Sequence, residues 1–297
     1  MYPAPFRYHR PENLQDAIKL LGKFGDDAKI LAGGQSQIPM MKLRVGEFSE
    51  LIDIGRLPDL SHIEARGSTL HIGALATHAA IAGSAAAARI PALVEAAGGI
   101  ADKQVRNMGT IGGGLSAADA SGDWPACLRG LNASVVITGA TGSRTVSVAD
   151  FVIDTYTTCL ESNEIVTEIQ VPIADANTSS AYVAFKRAAA AFPTCSAGIQ
   201  LSLDGNICTA ASLVLGCAGP VAVVSADAEA ELVGKEITTE ALQAAAEIIV
   251  AASQPPPDAR GSEAFKRAML KTLVVAAGER ALARCRGEEV SGGHRYA

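Results

Sequence analysis

Apolar positions at Leu14, Ala17, Ile18 and Leu21 recur at helical spacing directly after Asn13, a good N-cap, so a helix is predicted over residues 14–24. Gly25-Asp26-Asp27 turns the chain into the short apolar run 29–32. A second strand-like run, 50–54, follows a helical or irregular piece at 38–44, so the first fifty residues read as a β-α-β unit. Leu70 and Ile72 alternate about His71, which marks strand structure within 59–74. An alanine-rich helix is predicted over 77–89 and a second over 91–97, closed by Gly98-Gly99. Residues 134–137 and 145–148 flank Gly139-Ala140-Thr141-Gly142 as a hairpin, and 168–172 is a further strand.

The pattern changes at the polar stretch 175–180, which suits a linker. Beyond it, 181–186, 198–204 and 207–216 read as successive strands, and 239–253 and 262–286 as helices. Pro255-Pro256-Pro257 stops the first of these helices, because proline has no N–H to donate and its ring clashes with the preceding turn. The chain therefore reads as an α+β protein in two parts, 1–176 and 177–287, with a tail at 288–297.

Composition narrows the class. The 297 residues are 48% hydrophobic, 19% charged and 4% aromatic, enough apolar material for a sizeable core. Lys plus Arg is 25 against 31 Asp plus Glu, with no basic run, so a phosphate-backbone partner is disfavoured. Six cysteines lie scattered with no C-x-x-C, which predicts buried, reduced thiols in a cytoplasmic protein and no cluster or zinc site. The amino terminus carries no basic segment followed by an apolar one. The uncharged stretch 205–226 is punctuated by Asn206, Gly216, Gly219 and Pro220 and reads as strands and turns, with no membrane span expected.

Candidate chemistry concentrates in two glycine-rich segments. Ala32-Gly33-Gly34-Gln35-Ser36-Gln37 follows a predicted strand, and Met108-Gly109-Thr110-Ile111-Gly112-Gly113-Gly114-Leu115 is the second. Glycine permits positive φ and removes the Cβ that would block a close ligand, so successive amides can cradle an anion such as pyrophosphate. Ser36 and Thr110 add hydroxyl donors. Either segment alone is also compatible with a plain tight turn. Neither fits G-x-G-x-x-G in a Rossmann unit or G-x-x-x-x-G-K-[ST], and H-E-x-x-H and G-x-S-x-G are absent. His78 follows Thr77 at a helix start, where hydrogen bonding near a cap is the bland role. Asp119 and Asp123, four apart, suit an acid–base pair, ribose-binding carboxylates or solvent-facing ones. The residues themselves point to a binder of a phosphate-bearing ligand.

The stretch Ala32-Gly33-Gly34-Gln35-Ser36-Gln37-Ile38-Pro39 resembles the first FAD-binding segment of the medium subunit of the molybdenum hydroxylases, the carbon monoxide dehydrogenase and xanthine dehydrogenase family. Arg106 to Leu115, continued by Ser121-Gly122-Asp123-Trp124-Pro125-Ala126, resembles the second. Gly73-Ala74-Leu75-Ala76-Thr77-His78, Phe185-Lys186-Arg187 and Asp258-Ala259-Arg260-Gly261-Ser262 match in the same order, so the likeness spans the chain. The resemblance implies an FAD-binding domain of the vanillyl-alcohol oxidase type followed by a smaller α+β flavoprotein domain. It implies FAD held by Ala32, Gly33, Gly34, Gln35 and Ser36 and by Thr110, Ile111, Gly112, Gly113 and Gly114. Asp123 and Ile165 would contact the cofactor, and Lys186 would lie near the flavin. Gln35 stands where histidine is frequent, and Gly114 where Ser or Asn is common. The resemblance further implies molybdenum cofactor and [2Fe–2S] clusters on large and small partner subunits, as a dimer of heterotrimers, with neither metal site nor catalytic side chain on this chain. A free-standing flavin oxidoreductase and a non-catalytic nucleotide-binding protein are the competing readings.

Overall fold

Asn13 caps the first helix as expected: its Oδ1 accepts from the Asp16 amide at 2.9 Å, and α1 (Leu14–Phe24) ends at Gly25 with φ 56°. In the computed structural model, which describes residues 2–46, 48–290 and 295–296, α1 presses Ala17, Ile18 and Leu21 onto Ile52 and Ile54. Beneath it lies a three-stranded parallel sheet, β1 (Arg7–His9), β2 (Ala28–Leu31) and β3 (Glu50–Asp53), in the order β1-β3-β2. Helix α2 (Gln37–Leu43) fills the crossover between β2 and β3.

The strand pattern of 59–74 resolves into a hairpin, β4 (Ile63–Arg66) and β5 (Thr69–Gly73), turned at Gly67 with φ 61°. A second hairpin, β6 (Ser134–Gly139) and β7 (Gly142–Ser147), matches expectation except at Val148, which opens the short helix α8 (Val148–Phe151). After the small pair β8 (Val152–Asp154) and β9 (Thr157–Thr158), β10 (Ile165–Pro172) joins the two hairpins into a five-stranded sheet, β4-β5-β10-β6-β7. One face is covered by α3 (His78–Ala82), α4 (Pro91–Gly99), α6 (Ile111–Ser116) and α7 (Asp123–Gly130). Between α4 and α6 runs α5 (Lys103–Met108).

Two elements differ from those the sequence predicts. The helix predicted over 77–89 stops at Ala82, because Gly83 follows and the Ser84 hydroxyl accepts from the Ala87 amide, starting a separate turn at Ala87–Arg89. The linker is also shorter than 175–180, since its last three residues already belong to a strand.

That strand, β11 (Thr178–Lys186), pairs antiparallel with β12 (Cys195–Asp204), which pairs with β13 (Ile207–Gly216), and β13 with β14 (Val223–Val224). Residues 295–296 lie parallel to the end of β11. Ala181, Val183, Leu213 and Leu215 face one core, made with α9 (Ala226–Ala230), α10 (Thr239–Ala251) and α11 (Glu263–Cys285). The alternate residues Tyr182, Ala184 and Val214 face the core of the preceding sheet and its helices. Because both faces are buried, the run reads as continuous apolar sequence, and the even-numbered side chains of β11 are aimed at α4 and α7. Lys186 shares that parity. Among the described residues no helix is long and apolar enough to cross a membrane.

Candidate cofactor-binding cleft

The two glycine segments pack back to back. A Cβ at Gly33 would fall on the Met108 carbonyl oxygen and lie 2.9 Å from Gly109 Cα, so side-chain-free backbone at 33 lets the segments touch. Gly34 takes φ 74°, the left-handed turn that glycine makes without strain. The backbone N–H groups of residues 33–36 donate to no group among the described residues, whereas Gln35 Nε2 donates to the Gly33 carbonyl at 3.0 Å. This first segment therefore offers unclaimed donors, as an anion cradle requires.

The second segment is built differently from the loop that its glycines predict. Residues 111–116 are the helix α6, capped by Thr110 through Oγ1 to the Gly113 amide. Ile111 and Gly112 donate to the Ala76 and Ala74 carbonyls at 3.0 and 2.9 Å, and Gly114 donates to the Thr110 carbonyl. These amides are already bonded. Their glycines serve packing: a Cβ at Gly112 would sit 2.5 Å from Ala74 Cβ, and one at Gly114 2.6 Å from Trp124 Cδ1. The segment contributes a smooth floor that lies close to its neighbours.

Between them opens a cleft of about 710 Å³, within the ~300–1,000 Å³ usual for small-molecule and cofactor sites. Ala32, Gly33, Gly34, Gln35, Ser36, Thr110, Gly112, Gly113, Gly114 and Ile165 all line it. Ile111 instead turns its side chain into the core. Sequence reasoning missed the facing wall, which includes Tyr156, Leu160, Glu161 and Glu164. Arg144 holds that wall by a two-pronged contact to Glu164 at 2.8 and 2.7 Å and a bond to the Cys159 carbonyl at 2.9 Å. Those bonds lower the Glu164 carboxyl below the usual carboxylate range. Tyr156 and Ala118 adopt left-handed backbone, at φ 57° and 45°, and are joined by Tyr156 N–H to Ala118 O at 2.7 Å. A lone Tyr in a Thr-rich stretch carries no sequence signal for that role.

Asp123 and Lys186 meet behind this cleft and do not line it. The Lys186 ammonium donates to the Gly99 carbonyl at 2.7 Å and to Asp123 Oδ2 at 3.2 Å, and Tyr182 donates to Asp123 Oδ1 at 3.2 Å. The two charged side chains are 1% and 4% exposed. The pair ties α7 and the end of α4 to β11. Arg260 makes a parallel tie, donating to Ser121 Oγ and the Pro193 carbonyl. Asp119 is not paired with Asp123: it accepts from the Ser121 amide and the Tyr156 hydroxyl.

His78, at the start of α3, lines the cleft and is buried. Its Nδ1 accepts from Trp124 Nε1 at 3.2 Å, and burial, followed by the nearby Arg106 charge, lowers its pKa to about 4.

Comparison with known proteins gives the class of this two-part fold, an FAD-binding one. Residues 4–174 match the family described as the FAD binding domain in molybdopterin dehydrogenase, and 180–281 that described as the CO dehydrogenase flavoprotein C-terminal domain. The carbon monoxide dehydrogenase medium chain of Hydrogenophaga pseudoflava is 41% identical over 96% of this chain and all of its own length. The glyceraldehyde dehydrogenase medium chain of Sulfolobus acidocaldarius is 35% identical over 93% of this chain and 98% of its own. Quinoline 2-oxidoreductase of Pseudomonas putida 86 superimposes with a TM-score of 0.91 at 30% identity, over 96% and 99% of the two chains. The chain belongs to the FAD-binding medium subunits of the molybdenum hydroxylases, which are oxidoreductase subunits.

Proposed function

We propose that this chain carries FAD in the cleft between its glycine segments and passes electrons from the iron–sulfur clusters of a small partner subunit to an external acceptor. A large partner subunit would hold the molybdenum cofactor and the substrate, in a dimer of heterotrimers in the cytoplasm. Residues 1–176 would form the FAD-binding domain and 177–287 the smaller flavoprotein domain. Of the expected tail 288–297, residues 291–294 and 297 lie outside the described residues. The observation that carries the reading is the cradle itself: unclaimed amides at 33–36 facing a floor of glycines whose Cβ positions are filled by neighbours.

The residues present fit a dinucleotide. The amides of residues 33–36 and the Ser36 hydroxyl are donors for a diphosphate, and Gly112 and Gly113 of α6 line the cleft beside them. Ile165, buried in β10, gives the cleft an apolar edge. The Arg144–Glu164 contact fixes the facing wall. The bound flavin supplies the one- and two-electron chemistry, while the protein supplies position and electrostatics. Asp123 and Lys186 would act near the flavin as a fixed pair of opposite charges, because each is neutralised by the other. Ile38 and Met108, 38% and 56% exposed on the flanks of the two segments, add apolar surface suited to a partner subunit.

The test is purification of the native complex, with identification of its chains and metals. The expected result is flavin on this chain that is reduced by substrate only when the iron–sulfur and molybdenum subunits are present. Substrate oxidation by this chain alone, free of iron and molybdenum, would instead establish a free-standing flavin oxidoreductase.

A further inference from the structure

His78 and Thr110 are the buried polar side chains of the cleft wall, and Thr110 is committed to capping α6. His78 is only half committed. Trp124 Nε1 carries a hydrogen and no lone pair to share, so the His78 Nδ1 that it meets at 3.2 Å must be the acceptor. A neutral imidazole with an accepting Nδ1 keeps its hydrogen on Nε2. Burial keeps the ring neutral. The His78 amide donates to the Gly109 carbonyl at 3.0 Å, which anchors the residue to the second segment.

Nε2 points at the junction of the two glycine segments. A Cβ on Gly109 would lie 2.6 Å from His78 Nε2, while a Cβ on Gly33 would lie 2.9 Å from Gly109 Cα. The ring thus stands one glycine away from the segment with unclaimed amides. Nε2–H itself meets no acceptor among the described residues, and it is not among their sealed-off buried polar atoms, so it is open to the cleft. A donor that opens to the cleft and has no acceptor among the described residues is free to bond a ligand oxygen there.

We propose that His78 is a cofactor-binding residue: held in one tautomer by Trp124, it donates Nε2–H to a diphosphate oxygen of the FAD seated between the glycine segments. This rests on the FAD reading above and adds to it a neutral side-chain donor beside the backbone amides. A neutral donor bonds the diphosphate without introducing a cation, and the lock by Trp124 means that no tautomer change accompanies binding.

The test uses the full chain labelled with 15N-histidine. Proton–nitrogen correlation spectra should show His78 as a neutral Nε2–H tautomer in the free chain. On saturation with FAD the Nε2–H proton should move downfield. ADP, which keeps the diphosphate and lacks the flavin, should reproduce that shift, and riboflavin should not. The His78→Phe chain should bind FAD at least tenfold more weakly by equilibrium dialysis, with riboflavin affinity unchanged. An Nδ1–H tautomer, a charged ring, or a His78 signal unmoved at FAD saturation overturns the proposal and leaves FAD binding intact. Equal losses of FAD and riboflavin affinity in His78→Phe would assign the residue to packing alone and also overturn it. A wild-type chain that takes up no FAD overturns both this and the reading beneath it. If His78→Phe fails to fold, the wild-type spectra with FAD, ADP and riboflavin decide.

Discussion

Replacing Lys186 by Met should cost far more than a typical core change, because it strands Asp123. The carboxylate is 4% exposed, and in the native fold it meets the Lys186 ammonium at 3.2 Å and the Tyr182 hydroxyl at 3.2 Å. Without the ammonium, one neutral donor remains for a buried charge, and the Gly99 carbonyl also loses its partner at 2.7 Å. Breaking one side of a buried pair costs roughly 3–5 kcal/mol. For a chain of this size about 2–4 °C of melting temperature goes with each kcal/mol, so a fall of roughly 6–20 °C is expected. The Lys186→Met/Asp123→Asn double variant has no stranded charge and keeps an acceptor for Tyr182, so it should recover most of that loss. Thermal unfolding would be followed by circular dichroism and by the emission of Trp124, the only tryptophan in the chain and the neighbour of Asp123. A coupling energy of about 2 kcal/mol or more between the two changes is expected for groups in one network. Single and double variants that simply add, or a Lys186→Met loss below about 1 kcal/mol, would refute the account of this pair.

His78 predicts a pH dependence of stability. Its folded pKa of about 4 lies below the ordinary 6.5, so the unfolded chain binds the extra proton and stability falls as pH drops from 6.5 to 4, by at most roughly 3 kcal/mol. Above pH 6.5 the residue contributes no slope, and His78→Phe should lack this component of the urea-midpoint profile; an unchanged profile would contradict it. Burial raises the thiols of Cys127, Cys195 and Cys217, that of Cys195 to about 12. Burial also raises Cys208 and half-buried Cys285, so a thiol reagent at pH 8 should label the native chain fastest at half-buried Cys159, and peptide mapping that finds fast labelling at Cys195 would contradict this. Gly114→Ala should destabilise by about 1–3 kcal/mol and shift Trp124 emission, since its Cβ would lie 2.6 Å from the indole. Gly22→Ala, with open space at the same position in α1, should stabilise by about 1 kcal/mol; equal effects from the two changes would remove the packing role given to Gly114.

Local rules carried much of the fold. Asn13 and Ser262 cap the helices that their spacing predicts, and each side-chain oxygen accepts the amide expected of a cap. Paired apolar runs became β6, β7 and β10–β13 within a few residues. The break after Ala82 was illegible, because an alanine-rich run scores as helix throughout and the decisive bond, Ser84 to Ala87, is weak and local. Burial of both faces of β11 depends on what packs against it, so the sequence pattern could not say that Lys186 faces α7. Its partnership with Asp123, 63 residues away, is a tertiary fact that neither the residue pattern nor the family resemblance indicated. The glycine segments were visible, but the physical reason differed between them. In the first, Gly34 makes a left-handed turn and Gly33 lets the segments touch; in the second, glycine admits Ala74 and Trp124. The wall at 156–164 had no signal, because Arg144 fixes it from a neighbouring strand.

One FAD in the cleft beside α6 would lie within reach of Trp124, whose indole packs at Gly114 of the cleft floor. The most direct measurement is a titration of the purified full chain with FAD, followed through Trp124 emission and through flavin retained after gel filtration. Saturable quenching that breaks at one FAD per chain, with FAD released on denaturation, is the expected result. A chain that retains no flavin and shows no saturable change in Trp124 emission would contradict it.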